Sequence, residues 1–188
     1  MSFSEQDYQE AANKLGVPVA RVKAVAEVES GGATFWTING RPKPPIRVEA
    51  HWFGKLTGYR YNDSHPNISS RAWNASLAAK THDGAWRQFE EARALDESAA
   101  IQATSWGAFQ IMGFHWKALK YANPQAMMEA MDTAGGQLDA FIRFIQASPA
   151  IEDALQRGDY EAFENHYNGG GYGGAYARKI EAAEARYT

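Results

Sequence analysis

The segment Val22-Lys-Ala-Val-Ala-Glu-Val-Glu-Ser-Gly-Gly32 decides how the rest of the chain is read. Val22, Val25, Ala26 and Glu29 fall at i, i+3, i+4 and i+7, which is one face of a helix. Glu29 therefore shares a side with the valines, and Glu27 is expected to face solvent. The pair Gly31-Gly32 predicts the helix stop and leaves Glu29 in the last turn. Apolar surroundings penalise an ionised carboxylate, and the negative end of the helix dipole pushes the same way. The pattern fits a carboxylic acid kept protonated for general-acid chemistry. It also fits a helix-end glutamate bonded to an arginine, and periodicity alone favours that plainer reading.

Working outward, Ser4 with Asp7 predicts a capped helix that stops at Gly16, and Pro18 suits the first turn of the next. Beyond the central segment, Phe35-Trp-Thr-Ile runs into Asn39-Gly40, a strong two-residue hairpin signal. Pro42, Pro44 and Pro45 exclude a central strand there. Residues 46–49 alternate as a short edge strand would, with Ile46 and Val48 on one side and Arg47 and Glu49 on the other. Glu49 then opens a helix, where a salt bridge to Arg47 or a charge at the helix N-terminus is its plain role. Residues 59–79 are irregular and rich in Tyr, Asn, Asp, His and Trp. They read either as a functional loop suited to sugar hydroxyls and ring faces or as a surface insertion.

Helical spacing continues over 85–94, 97–103, 151–157, 159–167 and 176–187. The stretch 133–147 carries Leu138, Phe141, Ile142 and Ile145 and is expected to be the central buried helix. Within Thr104-Ser-Trp-Gly-Ala-Phe-Gln-Ile-Met-Gly113, Gln110 either closes a tight turn or aims its amide into a cleft. The glycine-rich run from Tyr167 to Gly174 would let backbone approach a ligand closely.

The 188 residues are enough for one domain with a real core. A net charge of −3 makes no electrostatic case for nucleic acid or an anionic membrane. With no cysteine, disulfides, thiol catalysis and cysteine-based zinc sites are excluded, and the five histidines show no paired ligand spacing, so no metal or cofactor is expected. The N-terminus lacks a basic region followed by an apolar one, so no signal peptide is read, and no run approaches the roughly 20 apolar residues of a membrane span. The fold class expected is mainly α (α+β): a single helical domain over residues 1–188 with a small β-hairpin excursion near residues 35–49.

Three features in order, Glu29-Ser30-Gly31, Gly107-Ala-Phe-Gln110-Ile111-Met112 and Tyr167-Asn168-Gly169, resemble the lysozyme-like superfamily, especially its goose-type lysozyme and soluble lytic transglycosylase branch. A nearer resemblance covers almost the whole chain: the N-acetylmuramidase domain of phage and prophage endolysins. It is carried by Glu29 to Gly32, Gly40 to Lys43, Val48-Glu49-Ala50-His51, Ser105 to Gly113 and Tyr167 to Gly169. The run from Ser105 to Gly113 is quite specific. Ala50 stands where the family has Arg, and the separate wall-binding domain of some members is not seen.

The resemblance implies a lysozyme-like fold and cleavage of the β-1,4 bond between N-acetylmuramic acid and N-acetylglucosamine in peptidoglycan. Glu29 would be the general acid and Glu49 the second carboxylate, acting as a base or as a stabilising charge. Without a second carboxylate, attack by the muramic acid's own 6-hydroxyl would give the 1,6-anhydro product of a lytic transglycosylase. A non-catalytic glycan-binding or virion structural module is the further alternative. Ser30, His51, Ser105, Gln110, Ile111, Tyr167 and Asn168 would contact sugar, with Trp106, Phe109 and Tyr172 stacking on sugar faces. The expected partner is the peptidoglycan glycan strand, with no nucleic acid, no stable membrane insertion and a monomeric enzyme. Synthesis in the host cytoplasm would precede action on the periplasmic wall after membrane permeabilisation.

Overall fold

The computed structural model describes residues 3–31, 33–167, 169 and 173–188, with backbone alone at Ser30. The first helix, α1 (Glu5–Leu15), begins where the sequence says it should. The Ser4 side chain accepts from the Asp7 amide, Asp7 accepts in return from the Ser4 amide, and Gly16 ends the helix in the left-handed region. Helix α2 (Val19–Ser30) follows, with Pro18 as N-cap and Gly31 as left-handed C-cap. Its Val22, Ala24, Val25 and Ala26 are buried.

Strands β1 (Trp36–Ile38) and β2 (Arg41–Lys43) form the expected antiparallel hairpin. Asn39 and Gly40 have φ of 50° and 74°, the positive values that a tight hairpin turn requires. Strand β3 (Ile46–Val48) belongs elsewhere. It is the edge of a second antiparallel sheet with β4 (Thr104–Trp106) and β5 (Ile111–Met112), in the order β3-β4-β5. The excursion near 35–49 is thus a hairpin plus a strand borrowed by a distant segment, because the prolines between β2 and β3 supply no amide for continued pairing.

Helix α3 (Ala50–Leu56) leaves β3 directly, and α4 (His82–Leu95) and α5 (Glu97–Gln102) precede β4. Asp96 caps α5 through the Ala99 amide. Helices α6 (Pro124–Ala130), α7 (Ala134–Gln146), α8 (Pro149–Arg157), α9 (Tyr160–Tyr167) and α10 (Ala175–Tyr187) complete the chain. The spacing of Leu138, Phe141, Ile142 and Ile145 does place α7 in the core, where Phe141 stacks on Phe109 at 4.0 Å. A phenylalanine buried this completely contributes about 2 kcal/mol by removal from water.

Two long-range polar ties position the functional region. Gln137 on α7 is buried; its Oε1 accepts from the Ala108 amide at 2.9 Å, and its Nε2 donates to the carbonyls of Thr34 and Met131. One side chain thereby links the β4–β5 turn to the segment after α2. Helix α10 packs along α2 with Ala177, Ile180 and Ala183 buried. Its end reaches Glu27, which stays on the solvent side as expected but is partly covered. Tyr187 donates to Glu27 at 2.6 Å and Arg186 pairs with it, so the Tyr187 hydrogen bond foremost holds the carboxyl below its ordinary range.

Candidate active site

Residues from α2, β3, α3, the 59–79 stretch, the β4–β5 hairpin, α7 and α9 line one cleft of about 460 Å³. Glu29 enters it from the last turn of α2, half-buried, and its Oε1 accepts a hydrogen bond from the Tyr176 hydroxyl of α10. Beside it, Tyr167 closes α9 and donates to the Phe109 carbonyl at 2.8 Å. Burial pushes the Tyr167 hydroxyl well above its ordinary value, and the charge of Glu29 adds to the effect. Tyr167 therefore remains a neutral donor beside a carboxyl.

Glu49 enters the same cleft as the N-cap of α3, its amide anchored to the Ala103 carbonyl at 2.9 Å. Arg47 Nε lies 3.0 Å from Glu49 Oε1, and His51 Nδ1 lies 3.7 Å from Oε2. Position 50, where the resembled family has an arginine, is a buried alanine here. The guanidinium beside Glu49 comes instead from β3, three residues earlier. The salt bridge read from sequence is real, and it occurs inside the cleft rather than on a featureless surface.

Gln110 closes its turn, the plainer of the two readings. Its φ is 48°, its Nε2 donates to the Gly107 carbonyl at 2.9 Å, and its Oε1 accepts from Ser105 Oγ at 2.9 Å. The amide closes the turn and still lines the cleft, as do Ser105, His51 and Ile111. Trp106 and Phe109 do not reach it, which corrects their assignment as stacking platforms. Trp106 is 1% exposed, donates from Nε1 to the Ile101 carbonyl and packs edge-on against Phe89. Phe109 is equally buried against Phe141. Trp106 ends β4 and Phe109 lies in the β4–β5 turn, and each ring is drawn into the core by a different helix, Phe89 on α4 and Phe141 on α7. The Ser30 side chain, Asn168 and Tyr172 lie outside the described residues.

The aromatic surfaces that do line the cleft were not singled out from sequence: Trp52, Trp73, Phe114 and Phe144. Trp73 is 62% exposed and belongs to the irregular 59–79 stretch, whose sugar-suited composition was the available signal. Trp52 packs against Phe114 with centroids 4.7 Å apart. His115 also lines the cleft, and burial pushes its imidazole below the ordinary value, so it favours the neutral form. No cluster of three or more His, Asp or Glu suited to a metal occurs among the described residues.

The N-acetylmuramidase family model matches residues 18–188. The chain belongs to this family. Among solved structures, this muramidase is similar to the Burkholderia AP3 phage endolysin in its crystal structure, with a TM-score of 0.84 and 36% sequence identity. The match covers 99% of this chain and 71% of that one. No curated protein sequence matches. The mainly α, lysozyme-like architecture with a small β-hairpin is therefore that of a phage endolysin muramidase, a peptidoglycan-cleaving enzyme. No helix among the described residues is long and apolar enough to cross a membrane.

Proposed function

We propose that this muramidase hydrolyses the β-1,4 bond between N-acetylmuramic acid and N-acetylglucosamine, with Glu29 as the general acid and Glu49 as the second carboxylate. The observation that carries the reading is that both glutamates line one cleft in different settings. Glu29 accepts from a tyrosine hydroxyl at a helix end, and Glu49 sits in an ion pair with Arg47. Glycoside hydrolysis needs that difference: one carboxyl gives its proton to the leaving oxygen while the other stays anionic against the oxocarbenium-like transition state or activates water. Ser105, Gln110 and His51 offer polar atoms for hydroxyl and acetamido groups, and Tyr167 lines the cleft beside Glu29. Trp73 and Trp52 replace Trp106 and Phe109 as the rings on which sugar faces stack.

In this reading residues 1–188 act as one catalytic unit on peptidoglycan strands in the wall, without a cofactor. Mass spectrometry of digested peptidoglycan tests it. Reducing N-acetylmuramic ends are expected. Predominant 1,6-anhydro ends would replace hydrolysis with transglycosylation and leave Glu49 without a catalytic task.

A further inference from the structure

A second groove, of about 560 Å³, lies between the β1–β2 hairpin and α4 and shares no lining residue with the cleft. Arg41 and Lys43 of β2 reach it from one side, and Trp86 and Arg87 of α4 from the other. Trp86 is fixed by its Nε1 donating to the Pro44 carbonyl at 3.2 Å, and the Lys43 ammonium sits 4.9 Å from its ring centroid. Among the described residues, Arg41 and Arg87 are the two arginines with no hydrogen bond, ion pair or ring contact. Both line this groove. The groove also holds two carboxylates, Glu90, 3.7 Å from Arg93, and Asp83 in the first turn of α4, so its three cations exceed them by one. In a chain of net charge −3, unmatched cations gathered around a walled tryptophan favour an anionic ligand.

The groove is joined to the cleft by the six-residue step from Lys43 to Glu49. Pro45 follows Lys43 by two residues, accepts from the Gly107 amide at 2.8 Å, and leads through β3 to Glu49. A ligand held here is therefore held at a fixed offset from the glycan site. Peptidoglycan presents such a ligand, because each muramic acid carries a peptide stem with free carboxylates. We propose that this groove binds the carboxylates of a peptidoglycan stem peptide while the glycan strand occupies the cleft, an inference that rests on the cleavage reading above. Each exposed contact is weak and salt-screened, but contacts to a ligand already tethered through its sugar act at high effective concentration.

The test compares wild type with an Arg41→Ala/Arg87→Ala variant on two substrates: peptidoglycan freed of wall phosphate polymers, and glycan strands stripped of their peptides by an amidase. Initial release of reducing ends should fall about tenfold on the peptide-bearing substrate and stay unchanged on stripped strands. Wild type should lose the same advantage in about 0.5 M salt. Co-sedimentation with the insoluble peptide-bearing material, made with both proteins in a Glu29→Gln background, should weaken to a similar degree without needing turnover. Equal rates on peptide-bearing substrate, or an equal loss on stripped strands, would overturn the proposal. A sedimentation difference seen only when phosphate polymers are retained would also overturn it, in favour of a wall polymer as the ligand. Arginine-dependent sedimentation without cleavage of either substrate would instead overturn the cleavage reading and leave the groove standing.

Discussion

The two glutamates of the cleft are held by opposite means. Glu29 ends a helix whose interior face is Val22, Val25 and Ala26, and its partner is a hydroxyl 147 residues further along. Glu49 follows an edge strand, and its partner is a guanidinium two residues back on the same strand. A hydroxyl can bond either protonation state of a carboxyl, whereas an arginine is a fixed positive charge that pairs only with the anion. In the proposed mechanism these two settings let one side-chain type take two different roles. Glu49 finds its partner among its neighbours in sequence, whereas Glu29 meets its partner only through the packing of α10 on α2.

The hardest test of that contrast is Glu29→Gln. Loss of the general acid is expected to lower turnover about a hundredfold or more with an unchanged circular dichroism spectrum. Retained lysis of peptidoglycan would assign the proton to another group. Glu49→Gln should cost less, about ten- to a hundredfold, since the proton donor remains, although the variant unpairs Arg47 beside the positively charged transition state. A drop as deep as that of Glu29→Gln would erase the asymmetry, and no drop in a folded protein would remove Glu49 from the chemistry.

Trp73→Ala sharpens the contrast from the substrate side. It should raise KM roughly tenfold with kcat little changed, because the ring is exposed and available to a sugar face. Its melting temperature should stay close to wild type, whereas Trp106→Ala should melt much earlier by leaving a core cavity of about 3 kcal/mol or more.

Tyr176→Phe removes the hydroxyl bond to Glu29 and keeps the ring. A three- to tenfold loss of activity is expected, on the order of 1 kcal/mol. Stability should be retained through Ala177, Ile180 and Ala183. The smallest effect concerns His115, whose folded pKa lies below its unfolded value. The unfolded chain therefore binds the proton first, so His115's contribution to stability is complete above about pH 6.5 and declines as the pH falls below it. Thermal melts at pH 7.5 and 5.5 should show a larger loss for wild type than for His115→Gln.

What the sequence disclosed follows the range of the interaction responsible. Caps at Ser4, Gly16, Gly31 and Asp96, and the Asn39-Gly40 turn, act within a few residues and were legible with near-correct boundaries. So was the position of Glu29 on the apolar face of α2. Trp106 and Phe109 were misplaced because a motif of alternating small and large apolar residues does not say which face of the hairpin meets the core. That is fixed by Phe141 and Phe89, on other helices. Tyr176 was invisible as a partner of Glu29, since only the packing of α10 on α2 brings them together. Trp73 sat in a stretch without periodicity, where composition signalled sugar binding but no spacing could nominate a residue.

The bond between Tyr176 and Glu29 also sets an order in time. During synthesis Glu29 emerges 147 residues before its partner, a delay of roughly 7 to 30 seconds at about 5 to 20 residues per second. Until α10 arrives, α2 lacks the helix packed along it and Glu29 lacks its hydroxyl partner. The nascent chain can thus build most of its helices while the setting of Glu29 is still incomplete. The hydrogen bond that holds Glu29 therefore forms only after α10 has been made.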